Sequence, residues 1–408
     1  MTKKFTIKES TRKRCKIVQL TPEVQLLFRP VSLEHFSYLW EVPSIDFSLY
    51  IRVDSEMIEY LRPQEFSCEL LEQIWMASLK EEAALDIFIL KKEFPRFLHS
   101  LSAVRQKKIQ NLIERDPSLD RKTLEAFSNL SEASQMILRG GITHAVAEHA
   151  KGSAAFMVKQ LMDNELAMST LSRMIQIDPT LYDHSASVSM FATIMAKQYI
   201  NRKLPLKEAE MIAQCGLYHD TGKSCVPHSV LNKPGSFTTE EYEIMKSHVD
   251  HGHRELMEAI TAGAPIDEIV AIVALEHHER FEGHGYPKGK KGRAEEDPAN
   301  GIHVYARIVA IADAYSALLM KRVYKPALPA EKAIELLRLS APRDFDLQIF
   351  EPFVKGVEGS LLKLEERKRE MDKGRIFLSD SEVKIMDQIK AQEKGSQAGE
   401  MGKRPKAS

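Results

Sequence analysis

Apolar residues along the chain follow two rhythms. Up to about residue 115 the signals are mixed. CKIVQL (15–20), SLYIRV (48–53) and DIFILK (86–91) read as short strands, and Asp54-Ser55 offers a turn into MIEYL. Between them, Leu70, Leu71, Ile74 and Trp75 share one face of a helix predicted over 63–80, and another is expected from Pro95 through Ile113. From Leu130 onward strand signals vanish. Helical spacing runs through SQMIL, AAFMVKQLM and LAMSTLSRMI, then through most of 184–340, and residues 353–390 read as one or two charged helices. The pattern predicts a mainly α protein with a small α+β module in front.

At 408 residues the chain is too long for one ordinary core. Asp116-Pro117-Ser118 is a turn and supplies a boundary. The expected division is a small α+β domain over 1–115, a linker over 116–133, a helical domain over 134–390 and a disordered tail over 391–408. The α+β domain carries no catalytic constellation, so a regulatory or partner-binding role is expected of it. Met157, Leu161 and Met168 look exposed on their helices and could form a homodimer seam; burial within the subunit is the equal alternative.

A formal charge of -1 gives no global attraction to DNA, RNA or an anionic membrane, so an anionic ligand must be caught by a local patch. No run of about 18 apolar residues occurs, and none follows MTKKFTIKES, which excludes a membrane span and a secretory signal. Cys15, Cys68, Cys215 and Cys225 lack CxxC spacing and read as reduced, mostly buried thiols of a cytoplasmic protein. No GxxxxGK[ST] motif supports a P-loop.

Ten of the fourteen histidines lie between His184 and His303. Five segments combine imidazole or carboxylate with helical context: His184 opening an apolar helix, the pair His219-Asp220, His248 after a threonine-acid cap, the pair His277-His278, and Asp313 closing the run IVAIA. Neutral imidazole binds Fe, Mn or Zn, and carboxylates can bridge two ions. An aspartate ending an apolar run costs free energy unless paired or metal-bound. A single histidine on an amphipathic helix is more often a surface or satisfied core residue. Five such segments together are how helical bundles build metal sites. His228, His251, His253, His284 and His303 read as solvated or supporting residues. Gly222 lets the backbone approach a ligand closely.

The motifs His184, HDTGK (219–223), KPG (233–235), His248, HHERFEGHGYP (277–287) and AD (312–313) together resemble the HD-GYP domain, a branch of the HD phosphohydrolases. The resemblance spans roughly 180–330. It implies an all-helical fold and hydrolysis of cyclic di-GMP to pGpG, and then GMP, through a hydroxide bridging two divalent ions, Fe or Mn. By position it makes His184, His219, Asp220, His248, His277, His278 and Asp313 the metal ligands, with Asp220 bridging. Lys223 becomes the phosphate contact and catalytic cation, and Tyr286, Arg322 and Lys325 become substrate-binding residues. The three cations are of the right type for two phosphodiester charges. Lys288, Lys290 and Lys291 read as a solvated basic loop.

Departures from the family pattern sharpen the expectations. Thr180 stands where members with a third ion carry a glutamate, so two ions are expected. Glu282 replaces the usual aspartate of the loop. Ser316 and Arg322-Val323-Tyr324 replace a second aspartate and an RPY motif, which touches the fit of the distal nucleotide. Three alternatives stay open: an HD hydrolase of another nucleotide such as 3′,3′-cGAMP, a cyclic di-GMP receptor without turnover, and a module whose metals only staple the fold.

Overall fold

The structure is a computed structural model and describes residues 15–31, 45–63, 87–177, 183–199, 204–231, 233, 236–320 and 328–373. Strand β1 (Lys16–Gln19) and the short helix α1 (Pro22–Gln25) precede β2 (Phe28–Val31), β3 (Leu49–Val53), β4 (Glu56–Leu61) and β5 (Ile87–Leu90). These strands form one antiparallel sheet in the order β1-β4-β3-β5-β2. β3 and β4 are a hairpin across Asp54, whose φ of 52° is in the left-handed region that aspartate tolerates. β2 went unread in the sequence because its Pro30 counts against a strand; at a sheet edge the missing N–H is harmless.

Alternation divides the faces of the sheet. Leu49, Ile51, Leu61, Ile87 and Ile89 pack with Phe47 against Phe94, Phe97, Leu101 and Val104, all on helix α2 (Phe94–Arg115). Farther along the same helix, Ile109 and Leu112 belong to a second, larger core. α2 is therefore shared by both halves of the molecule.

The larger core is helical. The half that holds it comprises α3 (Arg121–Gly140), α4 (His144–Leu161), α5 (Ala167–Ile177), α6 (His184–Tyr199), α7 (Leu206–Tyr218), α8 (His228–Leu231), α9 (Thr239–Lys246), α10 (His248–Thr261), α11 (Glu268–Glu276), α12 (Val304–Leu319), α13 (Ala330–Asp344) and α14 (Leu347–Asp372). The expected linker over 116–133 is corrected here. The turn at Asp116 is real, but α3 starts at Arg121 and buries Leu124, Phe127 and Leu130 in the helical core. Their three-residue spacing continues the helical rhythm that was read only from Leu130.

Of the two alternatives for Met157, Leu161 and Met168, burial within the subunit holds: each is at most 3% exposed within the one chain. Of the described cysteines Cys215 is buried and Cys225 exposed. The helix expected over 63–80 and the tail over 391–408 lie outside the described residues, as do Cys68 and Thr180. Among the described residues no helix is long and apolar enough to cross a membrane.

α6 runs through the centre of this core and is buried on nearly all sides. Phe191 meets the Tyr315 ring edge-on at 5.0 Å, and Tyr315 meets Phe353 at 5.1 Å, tying α6 to α12 and α14. Close packing against α7 depends on Gly216. A Cβ there would stand 2.6 Å from the Ser189 Cα, nearer than any side chain tolerates. Ser189 Oγ also donates to the Ala213 carbonyl at 2.7 Å. This approach brings the end of α7 beside the start of α6.

Candidate metal centre

Seven side chains converge where α6, α7, α10, α11 and α12 meet. Six of them sit at helix ends: His184 and His248 are the first residues of α6 and α10, while His219-Asp220 and His277-His278 directly follow α7 and α11. Asp313 projects from within α12. Asp183 caps α6, accepting from the Ala186 N–H at 3.0 Å, which fixes the entry of His184. His248 is set by a break between two helices. Thr238 and Glu241 close α9 with a reciprocal capping box, and Ser247 alone separates α9 from α10. A Cβ on Gly222 would overlap the His248 carbonyl, so this glycine serves helix-to-turn packing rather than ligand approach.

Asp220 is the hub. Its Oδ2 lies 3.4 Å from His184 Nε2 and 3.2 Å from His219 Nε2, and its Oδ1 lies 3.4 Å from His248 Nε2 and 3.8 Å from His277 Nε2. His184 Nε2 is also 3.1 Å from Asp313 Oδ1. The ligand-type atoms fall into two groups, each within 4.8 Å: His184, His219 and Asp313, and Asp220, His248, His277 and His278. One carboxylate oxygen thus faces each set.

The rings are oriented from behind. The Nδ1 atoms of His219, His248 and His277 face the carbonyls of Gly216, Met245 and Ala274, three residues back, at 2.8, 2.7 and 2.9 Å. Donation there leaves each Nε2 with a free lone pair aimed inward, as an oriented metal ligand requires. His219 Nε2, Asp220 Oδ1 and His278 Nδ1 are buried without a hydrogen bond. Burial of that kind is costly unless something absent from the chain completes it. The donor set, imidazole and carboxylate without thiolate, fits divalent first-row ions.

Electrostatics agree with that fit. Burial, reinforced by neighbouring imidazoles, holds His277 well below the ordinary histidine range, and burial brings His278 down to about 3. Burial likewise lowers His248. These rings are neutral, the form that binds metal. Burial opposes ionisation of Asp220, but His219, Lys223 and hydrogen bonds from the histidines more than reverse it, holding the carboxyl well below its usual range. Asp313 behaves alike, through His184 and His278.

The loop after α11 forms one wall. Tyr286 stacks on the His278 ring at 4.8 Å, and its N–H donates to the His278 carbonyl at 3.2 Å. Lys223 Nζ donates to Asp220 Oδ2 at 2.5 Å. Arg322 and Lys325 lie outside the described residues. Sequence reasoning missed the two glutamates that brace this loop. Glu279 accepts from the Lys288 and Lys290 N–H groups at 2.8 and 2.9 Å. Glu276 accepts from Lys290 Nζ at 2.6 Å and from the His303 N–H at 3.0 Å. Glu276 ends the apolar run IVAIVAL just as Asp313 ends IVAIA, and carries the same sequence signal. Lys290, expected in solvent, is instead tied to a buried carboxylate. His284 pairs with Asp344 at 2.9 Å, and His303 caps α12, so both support the scaffold.

The family model described as an HD domain matches residues 169–349, the segment that holds all seven residues. Over those residues the chain is similar to the HD superfamily, in its HD-GYP branch. Cyclic di-GMP phosphodiesterase PA4108 of Pseudomonas aeruginosa is 35% identical over 203 residues, covering 49% of this chain and 45% of that protein. The cyclic di-GMP phosphodiesterase response regulator RpfG of Xanthomonas campestris is 30% identical over 289 residues, covering 70% and 65%. The chain thus spans less than two thirds of these relatives. Among solved structures, Bd1817, an HD-GYP-type protein from Bdellovibrio bacteriovorus, matches with a TM-score of 0.50 at 19% identity, over 85% of this chain and all of that one. That likeness concerns the fold. The expected all-helical domain behind a small α+β portion is what the structure holds.

Proposed function

We propose that this chain is a metal-dependent phosphodiesterase that hydrolyses cyclic di-GMP to pGpG and then GMP. The observation that carries the reading is Asp220 set between two ligand groups, with one oxygen toward each. His184, His219 and Asp313 would hold one divalent ion, His248, His277 and His278 the other, with Asp220 between them. Iron or manganese suits these donors. Bound there, such ions acidify a water molecule and offset charge on phosphoryl oxygens.

The chain's own groups do the rest. Lys223, already within bonding distance of Asp220, would turn its ammonium to the equatorial phosphoryl oxygens and donate a proton to the departing 3′ oxygen. Tyr286, fixed against His278, would position the sugar-phosphate. Arg322 and Lys325 would grip the second phosphate. The remaining expectations join the proposal: a cytoplasmic enzyme, with residues 1–115 taking a regulatory partner and homodimerisation open to test.

The deciding experiment is metal analysis of anaerobically purified protein coupled to turnover of cyclic di-GMP. The reading expects about two equivalents of iron or manganese and pGpG as first product. Tight binding without hydrolysis would make the chain a receptor. Turnover of 3′,3′-cGAMP or another nucleotide in its place would make it a different HD hydrolase.

A further inference from the structure

Helix α9 stands out because none of its residues is buried, although two of its large apolar side chains lie exposed. Tyr242 is 48% exposed and Ile244 40%. The helix is nevertheless well held. Its capping box closes the N-terminus, and Lys233 Nζ reaches Glu241 at 2.5 Å. A helix fixed at its start that keeps a tyrosine in solvent has a ring to offer.

Tyr242 and Lys246, four residues apart, share one face. Lys246 Nζ lies 5.2 Å from the centroid of the Tyr242 ring and 5.8 Å from that of Tyr286, which itself stacks on His278. That face therefore borders the metal centre. One side of Tyr286 is already taken by His278, so Tyr242 is the open aromatic surface. Lys246 pairs with Glu243 at 2.6 Å, but Glu243 is 62% exposed, and such pairs exchange at little cost.

We propose that Tyr242 and Lys246 form a nucleobase subsite, Tyr242 stacking on the base and Lys246 selecting guanine. The proposal rests on the cyclic dinucleotide reading above. Aromatic rings stack on any base. Guanine presents two acceptors, O6 and N7, to a cationic donor, whereas adenine places an amino donor where O6 stands. A lysine at this place favours guanine and penalises adenine.

The test compares full-length wild type, Tyr242→Leu, Lys246→Met and Lys246→Arg, loaded with manganese, on cyclic di-GMP, cyclic di-AMP and bis(p-nitrophenyl) phosphate, a diester without bases. Lys246→Met is expected to lower the guanine-over-adenine ratio of kcat/KM about tenfold, and Lys246→Arg to retain it. Tyr242→Leu is expected to lower both dinucleotides about tenfold relative to the base-free diester, mainly through KM. Equal losses on all three substrates, or an unchanged ratio, overturn the subsite. If wild type hydrolyses none of them, the phosphodiesterase reading fails by itself. Calorimetric binding of the two dinucleotides to the same proteins then decides: a ratio that collapses in Lys246→Met supports the subsite, and an unchanged ratio or absence of binding overturns it.

Discussion

The two halves of this molecule treat their buried polar groups in opposite ways. In the sheet half they satisfy one another: Ser48 Oγ and the Tyr50 hydroxyl both donate to Glu59 Oε1, at 2.8 and 3.3 Å. Among the described residues of the five strands, no buried side-chain polar atom lacks a partner. In the helical half, His219 Nε2, Asp220 Oδ1 and His278 Nδ1 are left without hydrogen bonds around one point. A fold selected for stability alone would fill or neutralise such a centre. Polar chemistry serves packing in the first half and is held ready in the second.

The largest test of that contrast is Asp220→Asn. The amide keeps the shape but loses the charge and one acceptor, so one ligand group faces an NH₂ in place of an oxygen and the other keeps only a neutral carbonyl. Phosphodiesterase activity is expected to fall about a thousandfold or more, equivalent to about 4 kcal/mol of transition-state stabilisation. Metal content measured by mass spectrometry should fall with it. Full metal occupancy and near-normal turnover in the variant would show that Asp220 is not the hub.

Next in size are two core truncations. Phe127 and Phe97 are both fully buried, the first in the helical core and the second under the sheet. Replacing either by alanine should cost about 3–5 kcal/mol. Phe127→Ala should lower the melting transition and remove activity near that transition. Phe97→Ala should destabilise only the sheet half and leave turnover by the helical half at low temperature. Because α2 enters both cores, the alternative outcome is one shared transition, and equal inactivation by both changes would establish it.

How much of this was legible beforehand follows from where periodicity is strong. The three strands read from alternating or continuous apolar runs are present, as is the long helix ending near Arg115, since local pattern decides such elements. Strand β2, with its proline, was not read, and the helical part of 116–133 was misread because a turn outweighed weaker tertiary signals. The seven ligand candidates were each singled out by their own neighbourhood and the substrate-binding residues by resemblance, yet only the fold shows that Asp220 faces two groups. Glu279, Tyr242 and Lys246 carried no signal: their importance comes from neighbours distant in sequence, the Lys288–Lys290 backbone and the Tyr286 ring.

The acid response should separate the halves further. His277 and His278 have folded-state pKa values lowered from 6.5, with His278 at about 3. Below 6.5 the unfolded chain therefore binds protons that the folded chain does not. Stability is complete above the unfolded pKa and is lost as pH falls toward the folded one, by up to about 1.4 kcal/mol per pH unit for each ring. Asp220 and Asp313 are acids rather than bases, and their lowered pKa values cost stability only below about 4. Chelator-treated protein should thus melt progressively lower from about pH 6.5 to about 5 by calorimetry. A flat profile there would mean that the imidazoles are not buried and neutral.

The smallest effect comes from a matched pair of glutamates. Glu279→Gln and Glu59→Gln remove the same charge from two buried acceptor networks. At Glu279 each carboxylate oxygen receives a backbone N–H, from Lys288 and Lys290. A glutamine can accept only one of them and turns its own NH₂ against the other, so the loop carrying Tyr286 must shift beside His278. Residues that orient a metal centre from behind typically cost about 10–100-fold on mutation, so a loss of about tenfold in kcat is expected. At Glu59 the acceptor oxygen Oε1 serves two hydroxyls, which can rotate toward an amide oxygen that replaces it. The cost should be about 1 kcal/mol of stability, with turnover unchanged. Equal kinetic losses in both variants would join the sheet to the catalytic half and dissolve the contrast between them.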